Sequence, residues 1–206
     1  METLFFKESP FLFIIWTVFC LILFMLWRKA VIGLVYLWIL LSLCWFYRVP
    51  QRNFVKTDGL IAPSDGVVKQ IIPLKNGRIR IVTFLNIFNQ HIQYYPVSGT
   101  IQSVEYKKGR FHPAYLLEKS QYNERSITTI VGDEGQVIRL TQIAGQVARR
   151  IVNRSLIGTR VQQGQLLGMI KLSSRVDLEF STEHYSVNVK VGDSLSALET
   201  IIATKR

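Results

Sequence analysis

The chain has 206 residues, 49% of them hydrophobic, and a formal net charge of +11. Its two cysteines, Cys20 and Cys44, both fall in apolar stretches, which argues against a disulfide framework or a cysteine-bound metal. So large an excess of Lys and Arg points to an anionic partner, either nucleic acid or an anionic membrane surface.

The first quarter of the chain favours the membrane and argues against nucleic acid. A mean hydropathy of +0.21 averages two unlike parts, because the apolar residues crowd toward the N-terminus. Residues 11–27 read FLFIIWTVFCLILFMLW and residues 31–47 read VIGLVYLWILLSLCWFY, each 17 residues without a charge. At about 1.5 Å per residue such a run covers about 25 Å, against a hydrocarbon core of about 30 Å. Both are apolar all round, so neither is an amphipathic surface helix. The expectation is a hairpin of two short transmembrane or deeply re-entrant helices over residues 1–49. A signal peptide is disfavoured, because a second apolar run follows and no small-residue cleavage site does. Arg28 and Lys29 lie in the connecting loop, whereas Lys7, Arg48, Arg52 and Lys56 lie on the other side. That asymmetry favours the rest of the chain lying on the cytoplasmic face of the cell (inner) membrane. Arg48 and Arg52 themselves read as interfacial anchors. Pro50 and the polar residues after it mark a linker over 50–58.

The remainder, 59–206, is long enough for one domain with its own core. It reads as β-rich. Ile79, Ile81, Val82 and Phe84 follow the Asn76-Gly77 turn, and residues 127–131 and 136–143 flank Gly132-Asp133-Glu134-Gly135, a hairpin signal. Two weak echoes run through the domain. Residues 63–68 resemble 96–101, and 161–167 resemble 191–195 with Ile201 and Ile202. Short strands broken by glycine turns predict a mainly β fold, a compact barrel-sandwich-like domain with a few short helices, at 113–120 and 144–152. The strands resemble those of lipoyl and biotinyl carriers, but no lysine stands at a hairpin tip in the sequence context of a carrier.

His91, His112 and His184 show no metal-ligand spacing, so no metal is expected. Asp65, between Pro63 and Gly66, reads as a turn residue. Composition and spacing alone stop at a membrane-anchored β-rich domain.

Six segments carry the reading further. They are Phe46-Tyr47-Arg48-Val49-Pro50; Ile61-Ala62-Pro63-Ser64-Asp65-Gly66-Val67-Val68; Phe88-Asn89-Gln90-His91-Ile92 with Pro96-Val97-Ser98-Gly99; Gly109-Arg110-Phe111 with Asn123-Glu124-Arg125; Gln142-Ile143-Ala144-Gly145 with Val147-Ala148-Arg149-Arg150-Ile151; and Gly168-Met169-Ile170-Lys171-Leu172-Ser173-Ser174-Arg175-Val176-Asp177. In this order, and across about three quarters of the chain, they resemble the short-form phosphatidylserine decarboxylase proenzymes of bacteria and archaea.

The resemblance implies a self-processing enzyme. The backbone is cut between Ser173 and Ser174, leaving a β chain of 1–173 and an α chain of 174–206 that stay associated. Asp65 orients and stabilises His91, which acts as general base on the Ser174 hydroxyl. Ser174 becomes a covalent pyruvoyl group, which forms a Schiff base with the substrate amine and serves as the electron sink for decarboxylation. His91 is then the candidate acid that reprotonates Cα. The substrate implied is a serine-headgroup phospholipid, with phosphatidylserine converted to phosphatidylethanolamine in phospholipid biosynthesis; an archaetidylserine would share the headgroup. A homo-oligomer is compatible with this reading. Two departures stand out. Ser173 replaces the family's glycine at the cut, which adds a Cβ to a strained bond, and Gln93-Tyr94-Tyr95 stands where an Asn-Arg pair is common. Ser173 is the basis of the alternatives: an unprocessed, inactive membrane-anchored lipid-binding homologue, or a barrel-sandwich adaptor.

Overall fold

The computed structural model describes residues 10–27, 30–49, 51–146, 150–171 and 174–206. It forms two compact units, Met1–Gln51 and Arg52–Arg206.

The first unit holds helices α1 (Pro10–Trp27) and α2 (Ala30–Phe46), of 18 and 17 residues. Their hydroxyls are satisfied inside the helices: Thr17 Oγ1 donates to the Phe13 carbonyl at 2.8 Å and Ser42 Oγ to that of Trp38 at 2.8 Å. Such back-bonding to the preceding turn suits a residue with no water beside it. Tyr36 Oη donates to Thr17 Oγ1 at 3.3 Å and joins the two helices. Large apolar side chains stand exposed around both, among them Phe11, Ile14, Leu21, Met25, Leu34 and Trp38. The expected pair of apolar helices is therefore present. At about 1.5 Å per residue they extend about 27 and 26 Å, and among the described residues no helix is long and apolar enough to cross a membrane.

The second unit is mainly β. An eight-stranded antiparallel sheet runs in the order β13 (Ser194–Leu195), β2 (Gly66–Pro73), β3 (Arg78–Leu85), β11 (Ser174–Ser181), β7 (Val137–Ile143), β6 (Arg125–Gly132), β5 (Gly99–Lys107) and β9 (Arg160–Val161). Two three-stranded sheets accompany it: β1 (Leu60–Ile61), β14 (Ile201–Lys205) and β12 (Tyr185–Val187), and β4 (Ile92–Tyr94), β10 (Leu166–Ile170) and β8 (Ile151–Asn153). All three supply one core, in which Val68, Ile81, Leu140 and Leu178 meet Leu60, Ile202 and Leu167. The sequence echoes have a structural counterpart, since 63–68 and 96–101 both lead into strands that open on glycine, β2 and β5.

Strand β11 is central. It pairs with β3 on one side and with β7 on the other. Side chains alternate across a strand, so Ser174, Val176, Leu178 and Phe180 share one face and Arg175, Asp177 and Glu179 the other. Every one of these is buried.

Of the two short helices expected, the first is present as α3 (Leu117–Ser120). The second, over 144–152, is corrected. Ile151 and Val152 lie in β8, opposite Ile170 and Met169 of β10. Tertiary pairing of β-branched residues overrides a local helical reading there. Residues 147–149 of that expectation lie outside the described residues, as do Lys7, Arg28 and Lys29 of the charge count, Pro50 of the linker, and Ser173.

Candidate active site

Asp65 ends the turn before β2, where Gly66 has a φ of +143° and an added Cβ would lie 2.5 Å from the Phe84 carbonyl oxygen. Glycine is thus required for the chain to present Asp65 and enter the sheet at once. The Asp65 carboxylate is almost fully enclosed and accepts four hydrogen bonds. Arg52 supplies two, Nη1 to Oδ1 at 2.6 Å and Nη2 to Oδ2 at 2.7 Å. The backbone N–H groups of Gln90 and Ala197 supply the others, at 3.2 and 2.9 Å. Arg52 also donates to the Ala197 carbonyl at 3.2 Å. The reading of Arg52 as an interfacial anchor is therefore corrected: its guanidinium neutralises Asp65. One buried ion pair ties residues 52, 65, 90 and 197 together.

His91 lies at the end of the turn that precedes β4. Two asparagines brace that turn. Asn86 Oδ1 accepts from the N–H groups of Phe88 and Asn89, and Asn89 Oδ1 accepts from that of Asn86. The His91 ring is fully buried, and its Nδ1 lies 2.8 Å from the Asn89 carbonyl oxygen. A carbonyl can only accept, so Nδ1 carries the proton and Nε2 the lone pair. Burial lowers the His91 pKa to about 4, against the Asn89 hydrogen bond and the Asp65 charge, which both raise it. The ring is neutral at pH 7. Asn89 orients the ring, while Asp65 acts by charge and through the N–H of Gln90, next to His91.

The His91 carbonyl accepts from the backbone N–H of Ile170 at 3.1 Å and from Gln93 Nε2 at 2.9 Å. His91 is thereby tied to the end of β10, the strand that leads into Ser173-Ser174. Ser174 opens β11 opposite Leu85, while Phe84 pairs with Val67 of β2. The end of β3 thus stands between the strand that follows Asp65 and the strand that begins at Ser174. Ser174 is fully buried on the core face, and its Oγ has no hydrogen-bond partner among the described residues. The hydroxyl of Ser64, beside Asp65, is in the same state.

The opposite face of β11 is charged and paired. Arg175 grips Asp177 with Nε and Nη2 at 2.6 and 2.7 Å. It also donates to the Leu117 carbonyl at 3.1 Å and to Ser120 Oγ at 3.0 Å. Glu179 meets Arg80 at 2.7 Å and Arg139 at 3.7 Å. Burial pushes the Asp177 carboxyl up, and Arg175 opposes it.

The unusual Gln93-Tyr94-Tyr95 stretch is interior. Gln93 Oε1 accepts from Gln142 Nε2 at 2.8 Å, and Tyr95 Oη lies 2.8 Å from Ser155 Oγ. Burial raises the Tyr94 phenol, while Arg52 lowers it and Asp65 raises it further. A cavity of about 470 Å³ opens between Phe54, Ser98, Arg160 and Gln163, and none of Asp65, His91 and Ser174 lines it. Among the described residues no cluster of His, Cys, Asp and Glu could hold a metal ion.

The sequence profile of the phosphatidylserine decarboxylase family matches residues 40–203, a span that contains Asp65, His91 and Ser174. A phosphatidylserine decarboxylase proenzyme of Streptomyces griseus subsp. griseus is 43% identical over 160 residues, 76% of this chain and 71% of the relative. One from Solibacter usitatus is 39% identical over 161 residues, 78% of each chain. A third, from Oleidesulfovibrio alaskensis, is 36% identical over 178 residues, 82% of this chain and 81% of the relative.

Proposed function

Because the chain belongs to the phosphatidylserine decarboxylase family, we propose that it is a self-processing, pyruvoyl-dependent enzyme that decarboxylates phosphatidylserine to phosphatidylethanolamine. One observation carries the reading: Ser174 keeps an unpartnered hydroxyl in the core, directly after the bond to be cut. An unsatisfied buried hydroxyl costs about 1–3 kcal/mol. Conversion to a keto group removes the orphan donor and leaves a single acceptor oxygen at that position.

In processing, neutral His91 takes the Ser174 hydroxyl proton at Nε2. The oxygen attacks the Ser173 carbonyl carbon, the peptide C–N bond breaks, and the new amine takes up the proton, giving an ester. Loss of the Ser174 Cα proton expels the Ser173 carboxylate from Cβ and ends the β chain at residue 173. The dehydroalanine left at 174 takes up water, loses ammonia and becomes the pyruvoyl end of the α chain. Asp65 holds the geometry by fixing the N–H of Gln90, and its charge favours a proton arriving on His91. Strand β11 lies between β3 and β7, so the cut leaves the α chain paired on both sides.

In turnover the pyruvoyl carbonyl supplies an electron sink for the amine-bearing carbon. His91 is positioned to return the proton that replaces CO2. The helical hairpin embeds in a leaflet of the cell (inner) membrane as a re-entrant anchor, with the β unit on the cytoplasmic face. Its length falls short of a crossing, yet apolar side chains surround it.

Intact mass measurement under denaturing conditions tests the reading. Two fragments are expected, the smaller beginning at 174 with a blocked, pyruvoyl-bearing N-terminus. A single species of 23.7 kDa would overturn it.

A further inference from the structure

The two ends of the large sheet present different surfaces. The turns at the end remote from Ser174 carry Lys75, Asn76, Asp133, Glu134, Glu183 and His184, all exposed. The end where β11 begins carries Ile87, Phe88, Tyr106, Tyr115, Leu116 and Tyr122, all exposed as well. Phe88 is 71% and Ile87 51% accessible.

These side chains belong to one surface. Tyr115 meets Phe84 edge-on, with ring centroids 6.4 Å apart, and Phe84 lies two residues before the turn that carries Ile87 and Phe88. Arg175, next to Ser174, holds the Leu117 carbonyl and Ser120. Tyr106 donates to Glu124, whose N–H is held by the Arg110 carbonyl. The turn at 86–90 is braced by Asn86 and Asn89, so Ile87 and Phe88 are displayed on a rigid support. Leu156 and Ile157 stand elsewhere, on the loop before β9.

Contiguous exposed apolar groups mark a docking surface. Here the rim is basic: Lys107, Lys108, Arg110 and Lys119 stand exposed beside it, against the exposed carboxylates Glu105 and Glu118. Aromatic side chains with a phenol tip, flanked by Lys and Arg, match a bilayer interface with anionic headgroups. We propose that this end of the β unit docks on an anionic lipid bilayer through Ile87, Phe88, Tyr115 and Leu116. The contact is additional to the helical hairpin, and it brings the bilayer against the turn that carries His91. The role in catalysis rests on the decarboxylase reading, whereas the docking itself does not.

The test uses the full chain, with Cys20 and Cys44 replaced by alanine, in phosphatidylserine–phosphatidylcholine vesicles. A fluorophore is attached at Phe88→Cys or, as control, at Glu134→Cys. Quenching at position 88 by a lipid-borne quencher, and at 134 by aqueous iodide, is the expected result. Iodide quenching at 88 without lipid quenching overturns the proposal. So does protection from both quenchers, which would assign the patch to a second copy or to another part of the chain. A kinetic arm then uses Ile87→Ser with Phe88→Ser. About a tenfold rise in apparent KM for bilayer phosphatidylserine is expected, with turnover of a monomeric short-chain analogue unchanged. Equal loss on both substrates overturns docking as the cause. A wild-type chain that decarboxylates neither substrate counts against the decarboxylase reading and leaves the quenching result to decide docking.

Discussion

The two faces of β11 are equally buried and chemically opposite. One carries Arg175, Asp177 and Glu179, and each of these charges has partners at hydrogen-bond or ion-pair distance. The other carries Val176, Leu178 and Phe180 in the core, with Ser174 among them and its hydroxyl without a partner. The charged face resembles a set of clamps: Arg175 reaches α3, and Arg80 and Arg139 reach in from the neighbouring strands. The hydroxyl on the apolar face contributes nothing to packing that alanine would not. The paired charges hold the fold, whereas the Ser174 hydroxyl makes no such contribution.

Four substitutions or conditions break that comparison or sharpen it. Ser174→Ala has the largest expected effect on function and little on folding. The chain should remain one species by mass, with decarboxylation at background and a melting temperature no lower than that of the uncleaved chain, because the unsatisfied hydroxyl is gone. Arg175→Ala reverses this pattern. It leaves Asp177 buried without its partner, so a loss of about 3–5 kcal/mol is expected in chemical denaturation. Replacing both Arg175 and Asp177 with apolar residues of similar size should cost less than the single change.

The third is acid. The folded pKa of His91, about 4, lies below its ordinary value of 6.5. Between those values the unfolded chain binds a proton that the folded chain does not, so stability falls as the pH drops through that window. The full loss is about 3 kcal/mol by pH 4. His91→Asn should flatten this part of the stability profile. Self-cleavage of the wild type should hold its rate down to about pH 5 and slow as His91 protonates. An unaltered slope in the asparagine variant would assign the acid sensitivity elsewhere. The smallest effect is expected from Ser173→Gly, which removes a Cβ at the scissile bond and should speed self-cleavage by a few fold. It is read from the time course of the two fragments.

The candidate site was legible as a set of residues but not as an arrangement. Asp65, His91 and Ser174 stand in segments whose order carries the resemblance. That the Asn89 carbonyl holds His91 Nδ1 had no signal in the sequence, because the partner is a backbone group. Arg52 was misread for a related reason. Beside an apolar run, an arginine that anchors at an interface and one that folds inward look the same in one dimension. The helix expected over 144–152 failed where β10 offered Ile151 and Val152 a partner strand.

What the sequence by itself determined was local. Uninterrupted apolar runs dictate helices α1 and α2, turn residues at Asn76-Gly77 and 132–135 dictate hairpins, and alternation along 174–181 dictates two faces. The tertiary structure decided which distant groups those faces meet. Arg52 reaches Asp65 and Ala197, 13 and 145 residues away, and Asp65 reaches Ala197 across 132. Such contacts depend on how the sheets close around one core, and no short-range pattern encodes that closure. The same closure buries Ser174 without a partner and encloses the His91 ring, and neither burial can be read from the residues on either side.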